Sequence, residues 1–232
     1  FSYIVPLSRF PQKTTVYDSN GKEIKVVNEV PLTEIMPKGF SSTRTGKRSM
    51  NWRADQPATL HFVEALDGGD QANKVEFRDE LFLWEAPFNQ APKNLMKLPQ
   101  RYGGVMWGNA TTAIIMDSWY DTRNTKAYLI NPSNPAMAPK VIEDRNSQDV
   151  YSDPGSFEMK KNEFGRYVIA IENNKGYLIG DGFTKEGQFP FIDEFDFGTL
   201  KTKRLYTSNM KDRKEDLMSI EDLKKGDVLV MI

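Results

Sequence analysis

Apolar positions in this chain come in short runs. Tyr3-Ile4-Val5, Leu81-Phe82-Leu83-Trp84, Ala113-Ile114-Ile115-Met116, Tyr128-Leu129-Ile130 and Tyr167 to Ile171 are each separated from the next by polar and turn-forming residues. Short β-branched and aromatic runs with this punctuation predict strands. Helical spacing is nearly absent. It occurs at Asp212 to Lys225, where Leu217, Ile220 and Leu223 predict a turn or two of helix before a last strand at Asp227 to Ile232. One hairpin is written in its turn: Thr14 to Asp18 and Lys22 to Val27 flank Ser19-Asn20-Gly21. Asn-Gly predicts a type I′ turn, which needs positive φ at both central residues.

The hairpin pattern returns. A strand, a polar turn and a basic-apolar strand follow one another at VYDSNGKEIKVV, LWEAPFNQAPKNLMKL, YLINPSNPAMAPKVI and FDFGTLKTKRLY. A second pattern precedes the middle two, with Trp, a short polar turn and an apolar strand, at NWRADQPATLHF and MWGNATTAIIMD. Around Tyr167, RYVIAIENNKGYLIGDG supplies a strand–turn–strand without the Trp. Four-strand units recurring at roughly 40 to 60 residues predict β-propeller blades. The expected fold class is therefore all-β, a propeller fragment of four-stranded antiparallel blades. The blades are expected at 46–99, 100–150 and 165–210, with partial blades at 1–40 and 213–232 in one propeller segment. The strand-like run at the end of the sequence suggests a piece of a longer protein, and unpaired blade faces would then invite self-association.

Composition narrows the function classes. Lys and Arg number 31 against 32 for Asp and Glu, a net charge of -1, which argues against a dedicated nucleic-acid or anionic-membrane surface. The chain has no cysteine, so disulfides, thiolate metal sites and cysteine nucleophiles are excluded. No apolar run approaches the roughly 18 residues of a membrane span. No targeting signal is visible, which leaves the periplasm and the cytoplasm equally open.

Longer stretches carry a resemblance. GKRSMNWRADQPATLHFVEALDGGD, VEFRDELFLWEAPF and WGNATTAIIMDSWYDTRNTKAYLINPS resemble the propeller domain of prolyl oligopeptidase family serine peptidases. The nearest branch is the bacterial and plastid glutamyl endopeptidase-like group, akin to the dipeptidyl and acylaminoacyl peptidases. Its pattern falls on Arg48, Trp52, Arg53, Ala54, Asp55, Pro57, Ala58, Thr59 and Leu60, then Glu64 to Asp70, Arg78-Asp79 and Ala86-Pro87-Phe88. EGQFPFIDEFDFGTLKTKRLY resembles the next blade. His61-Phe62 and Gln71 depart from the pattern. The resemblance implies a parent enzyme whose propeller gates and orients peptides for a C-terminal α/β-hydrolase domain. No G-x-S-x-G nucleophile elbow occurs in this chain. The rival reading is a stand-alone propeller that scaffolds other proteins in the bacterial envelope.

The chemistry-bearing residues are weighed against that background. His61 is the only histidine, on a strand with no serine elbow beside it, so the expectation is a packed strand histidine and no catalytic residue. Asp55, Gln56 and Pro57 predict a turn, with Asp55 paired to Arg53 or Arg48. Arg44, Arg48 and Arg53 are the substrate-binding candidates, because a guanidinium takes a carboxylate in two hydrogen bonds and the resembled branch prefers Glu. Asp67 and Asp70 lie in a loop that offers too few oxygens for Ca²⁺, and no metal or cofactor is expected. Trp52, Trp84, Trp107 and Trp119 are read as packing anchors rather than a sugar platform. Asn109-Ala110-Thr111 fits a glycosylation sequon in a turn, and Lys201 to Arg204 reads as a solvated outer strand.

Overall fold

The computed structural model describes residues 5–210, 212–222, 225 and 227–231. Its strands in chain order begin with β1 (Gln12–Tyr17) and β2 (Glu23–Val30), an antiparallel hairpin. A first four-stranded sheet follows: β3 (Arg48–Trp52), β4 (Thr59–Ala65), β5 (Asp79–Glu85) and β6 (Lys93–Leu98), each beside the next. A second repeats that order with β7 (Arg101–Asn109), β8 (Thr112–Trp119), β9 (Asn124–Ile130) and β10 (Lys140–Asn146). The third is interrupted. It pairs β11 (Ser156–Phe157), β14 (Lys175–Gly180), β17 (Phe191–Asp196) and β18 (Thr202–Thr207). Two small hairpins fill its gaps, β12 (Met159–Lys161) with β13 (Tyr167–Ile169) and β15 (Phe183–Thr184) with β16 (Gly187–Gln188). A final hairpin joins β19 (Asp216–Asp222) to β20 (Asp227–Met231). The fold is all-β, built of four-stranded antiparallel blades.

Residues 1–103 and 117–121 form one compact unit, and 104–116 with 122–232 form a second. In the first, Leu60, Phe62, Trp84, Phe88 and Val27 make a buried core, with Val16 and Trp52 packed against it. Leu60 and Phe62 share one face of β4, and Thr59, His61 and Val63 share the other. All five are buried, so this strand is covered on both sides. In the second unit Ile114, Ala127, Ile169, Leu178, Phe195 and Phe197 form the core. Phe157 stands edge-on to Phe195, with ring centroids 5.5 Å apart. Each Ile, Leu or Phe side chain contributes roughly 1.5–3 kcal/mol when fully buried. Strand β18 is exposed along its whole length, and its basic residues protect that edge from further pairing.

Two local expectations are corrected and a third gains detail. The helix at Asp212 to Lys225 is strand β19, while Leu223 lies outside the described residues. Register shifts between Leu217 and Ser219 and between Ile220 and Asp222 explain the false signal. A bulge adds one residue, so positions three apart face the same side and imitate a helical stripe. The Asn20-Gly21 turn is not type I′. Gly21 alone has positive φ, at 81°, and donates to the carbonyl of Asp18 at 3.0 Å. Asp18 also accepts the backbone N–H groups of Asn20 and Lys22. This makes a turn followed by a left-handed glycine, a form that accompanies a bulge. Around Tyr167 the expected strand–turn–strand is present as β13, a turn closed by the Glu172–Lys175 bridge, and β14, while β13 takes its ladder from β12. The third sheet therefore draws its edge strand from Ser156–Phe157.

Candidate functional site

The densest group of charges in the first unit gathers around two buried carboxylates. Asp67 and Asp79 have fully buried side chains. Asp79 stands at the start of β5, where it pairs with Arg48 of β3. It also accepts Arg101 Nη1 at 3.0 Å and the backbone N–H of Tyr102 at 2.7 Å. Asp67, in the β4–β5 loop, accepts Arg101 Nη2 at 2.7 Å and Arg78 Nη1 at 3.0 Å, and its other oxygen accepts Gly69 N–H at 2.9 Å. Arg101 also donates to the carbonyls of Ser41 and Arg78. Arg78 lies over the Trp119 ring, 4.4 Å from its centroid.

The local backbone explains why these groups meet. Gly69 has φ of 77°, and a Cβ there would stand 2.0 Å from the carbonyl oxygen of Thr43. Glycine thus allows the loop to close on residue 43 and hold Asp67 inward. In β3 the register shifts between Arg48 and Asn51, and Ser49 has φ of 52°. That bulge re-aims Arg48.

The charges do not balance. Three guanidiniums, Arg48, Arg78 and Arg101, share two carboxylates. Arg44 adds a fourth cation whose pKa is lowered by burial and by the charge of Arg48. It donates to the carbonyls of Thr45 and Lys47. Burial pushes the Asp67 carboxyl up, but the hydrogen bonds from Arg101 and Arg78 outweigh it and hold the group below the usual carboxylate range. Burial pushes the Tyr102 phenol up to about 12, against the opposing charge of Arg48. Arg48 Nε is buried and has no hydrogen-bond partner among the described residues. The arrangement can attract an anion. It offers no acid or base near neutral pH, because arginine keeps its proton and Tyr102 holds its own.

The other candidate residues separate from this group. Arg53 is buried and held by Asp55 in two parallel bonds, 2.7 and 2.8 Å. Arg53 N–H donates to Thr59 O across the turn that contains Asp55, Gln56 and Pro57. His61 is buried in β4, and burial, aided by the nearby Arg53 charge, lowers its pKa to about 4. Trp52 packs at 6.2 Å from Phe88, and Trp84 meets the same ring edge-on at 5.7 Å. Trp107 is buried in β7. In the loop weighed for Ca²⁺, the Asp67 carboxylate is held by two arginines, Arg78 and Arg101. Arg101 and Ser41 hold the cluster together yet drew no attention in the sequence. Arg48, Asp67, Arg78 and Asp79 were each singled out there, but nothing joined them.

The chain matches no family model. Over 237 residues it is 39% identical to a protein of Arabidopsis thaliana, an alignment covering 98% of this chain and 25% of that protein. Over 227 residues it is 40% identical to a protein of Oryza sativa subsp. japonica, covering 95% of this chain and 24% of the other. Both are named probable glutamyl endopeptidase, chloroplastic. The chain is similar to one segment of a peptidase. It spans about a quarter of the length of these curated relatives. Among solved structures, TolB from Acinetobacter baumannii aligns at TM-score 0.35 and 15% identity, covering 89% of this chain and 48% of that one. An oligogalacturonate lyase in complex with manganese aligns at TM-score 0.36 and 10% identity, covering 84% and 41%.

Proposed function

We propose that this chain is the non-catalytic propeller segment of a serine peptidase of the prolyl oligopeptidase kind. It restricts access to a hydrolase domain of the same protein and orients the peptides that enter. The observation that carries this reading is the near full-length similarity to a quarter of two proteins named as endopeptidases. The lone histidine supports it, because an imidazole with a pKa of about 4 and a buried ring is a poor general base at neutral pH. Within the segment, Arg48 is the residue proposed to meet an acidic peptide side chain, assisted by Arg44. Arg53 is set aside, since Asp55 already occupies its fork.

The test compares the purified chain with the longer protein that contains it, using fluorogenic peptides with Glu or Gln before the scissile bond. The chain alone cleaves neither, and the longer protein cleaves the Glu peptide. In the longer protein Arg48→Lys keeps a charge for Asp79 but loses the planar fork. It lowers the Glu-over-Gln ratio of kcat/KM by about tenfold, mostly through KM. A ratio unchanged in a variant of normal thermal midpoint removes Arg48 from substrate contact. A longer protein that cleaves no peptide overturns the reading in favour of a binding module.

A further inference from the structure

The second unit holds a cleft of about 510 Å³ between β17–β18 and the β19–β20 hairpin. Its apolar walls include Ile192, Leu217, Ile220 and Val230. Protein interiors pack with few voids larger than a water molecule, and this volume falls in the range of small-ligand sites. One wall carries Glu215, which is only 5% exposed. Both of its carboxylate oxygens accept the Tyr206 hydroxyl, at 3.0 and 2.8 Å. That hydrogen bond raises the Tyr206 pKa, so the phenol stays a donor. No cation pairs with Glu215 among the described residues. Lys214 pairs with Asp216, and Lys225, which also lines the cleft, is 73% exposed and turned to Asp222. A carboxylate taken out of water without a cation is costly, and a neutral phenol meets only part of its need.

We propose that this cleft binds a small aliphatic cation, with its ammonium or guanidinium on Glu215 and its hydrocarbon stem on the apolar walls. Charge complementarity selects the head group, and the wall composition selects the stem. This assignment rests neither on the arginine cluster nor on the peptidase reading.

The probes are hexylammonium, hexanol and hexanoate, titrated into the purified chain and followed by methyl NMR of Ile192 and Leu217, with Ile114 as a control outside the cleft. Hexylammonium gives saturable shifts at the cleft methyls. Hexanol binds about tenfold more weakly, and hexanoate does not bind. Glu215→Gln weakens hexylammonium by about tenfold and abolishes its advantage over hexanol, whereas Tyr206→Phe retains that advantage. Nα-acetyl-lysine methylamide as a further probe separates two sources of the same chemistry. Binding within threefold of hexylammonium assigns the site to basic side chains of peptides, and exclusion assigns it to free amines. Equal binding of hexylammonium and hexanol, or no saturable shift with the amine, overturns the proposal. The comparison between probes holds on the unaltered chain even if Glu215→Gln fails to fold.

Discussion

Two regions of this molecule bury carboxylates and treat them in opposite ways. Around Asp67 and Asp79, cations outnumber anions, and every carboxylate oxygen has a donor. Around Glu215, an anion sits in a largely apolar cleft, hydrogen-bonded to the Tyr206 phenol and paired with no cation among the described residues. The first arrangement acts as a clamp. It ties the segment at Ser41, the β4–β5 loop, the start of β5 and the start of β7 through one guanidinium, Arg101. The second fastens little, since Tyr206 and Glu215 lie only nine residues apart. A buried charge contributes to a fold when its partners come from distant segments. Otherwise its desolvation cost is left to a ligand or to solvent.

The strongest way to break this comparison is to remove the shared anion of the clamp. Asp79→Asn leaves Arg48 and Arg101 buried with one carboxylate fewer and weakens the bond to Tyr102 N–H. Breaking a buried ion pair on one side costs about 3–5 kcal/mol. Urea unfolding followed by tryptophan fluorescence is expected to show a loss of that size. A loss under 1 kcal/mol would mean that the cluster reorganises freely and fastens nothing.

His61 sharpens the comparison from the other side, since its burial, aided by the nearby Arg53 charge, resists a proton. Its pKa falls from 6.5 to about 4 in the folded chain. The folded state therefore binds that proton less readily than the unfolded chain. The contribution is intact above pH 6.5 and is lost as pH falls from 6.5 towards 4. Complete loss amounts to about 3 kcal/mol. Urea midpoints at pH 7 and pH 5 are expected to differ in the unaltered chain and to converge in His61→Gln. Equal slopes in the two proteins across that window would show that His61 is not the group responsible.

Much of the architecture was legible because strand alternation and turn chemistry are local. The strand–turn–strand runs at 83–98, 128–142 and 195–206 form antiparallel pairs in three sheets, and Trp52 and Trp107 fall on the first strands of two of them. What misled was irregularity. Bulges in β19 brought Leu217 and Ile220 to one side and imitated a helix, while a left-handed Ser49 turned Arg48 out of simple alternation. The clamp was illegible for a different reason. Arg101 reaches Asp67 across 34 positions and Ser41 across 60, and nothing in the sequence pairs residues so far apart. Arg53 and Asp55 were readable because they lie two positions apart. The same proximity removed Arg53 from the substrate candidates once the pair proved to be closed.

The smallest expected effect is the most discriminating. Glu215→Gln removes the isolated anion but keeps an oxygen that accepts the Tyr206 hydroxyl. The variant loses the cost of holding a charge in the cleft and part of a charge-assisted hydrogen bond, so the two changes nearly offset. Stability is expected to stay within about 1 kcal/mol of the unaltered chain, on the favourable side. The same urea experiment serves for both carboxylates, which makes the comparison direct. If Glu215→Gln destabilises as much as Asp79→Asn, the Glu215 carboxylate is a structural fastening like the clamp. The distinction between an anion that holds the fold and an anion left for a ligand would then fail.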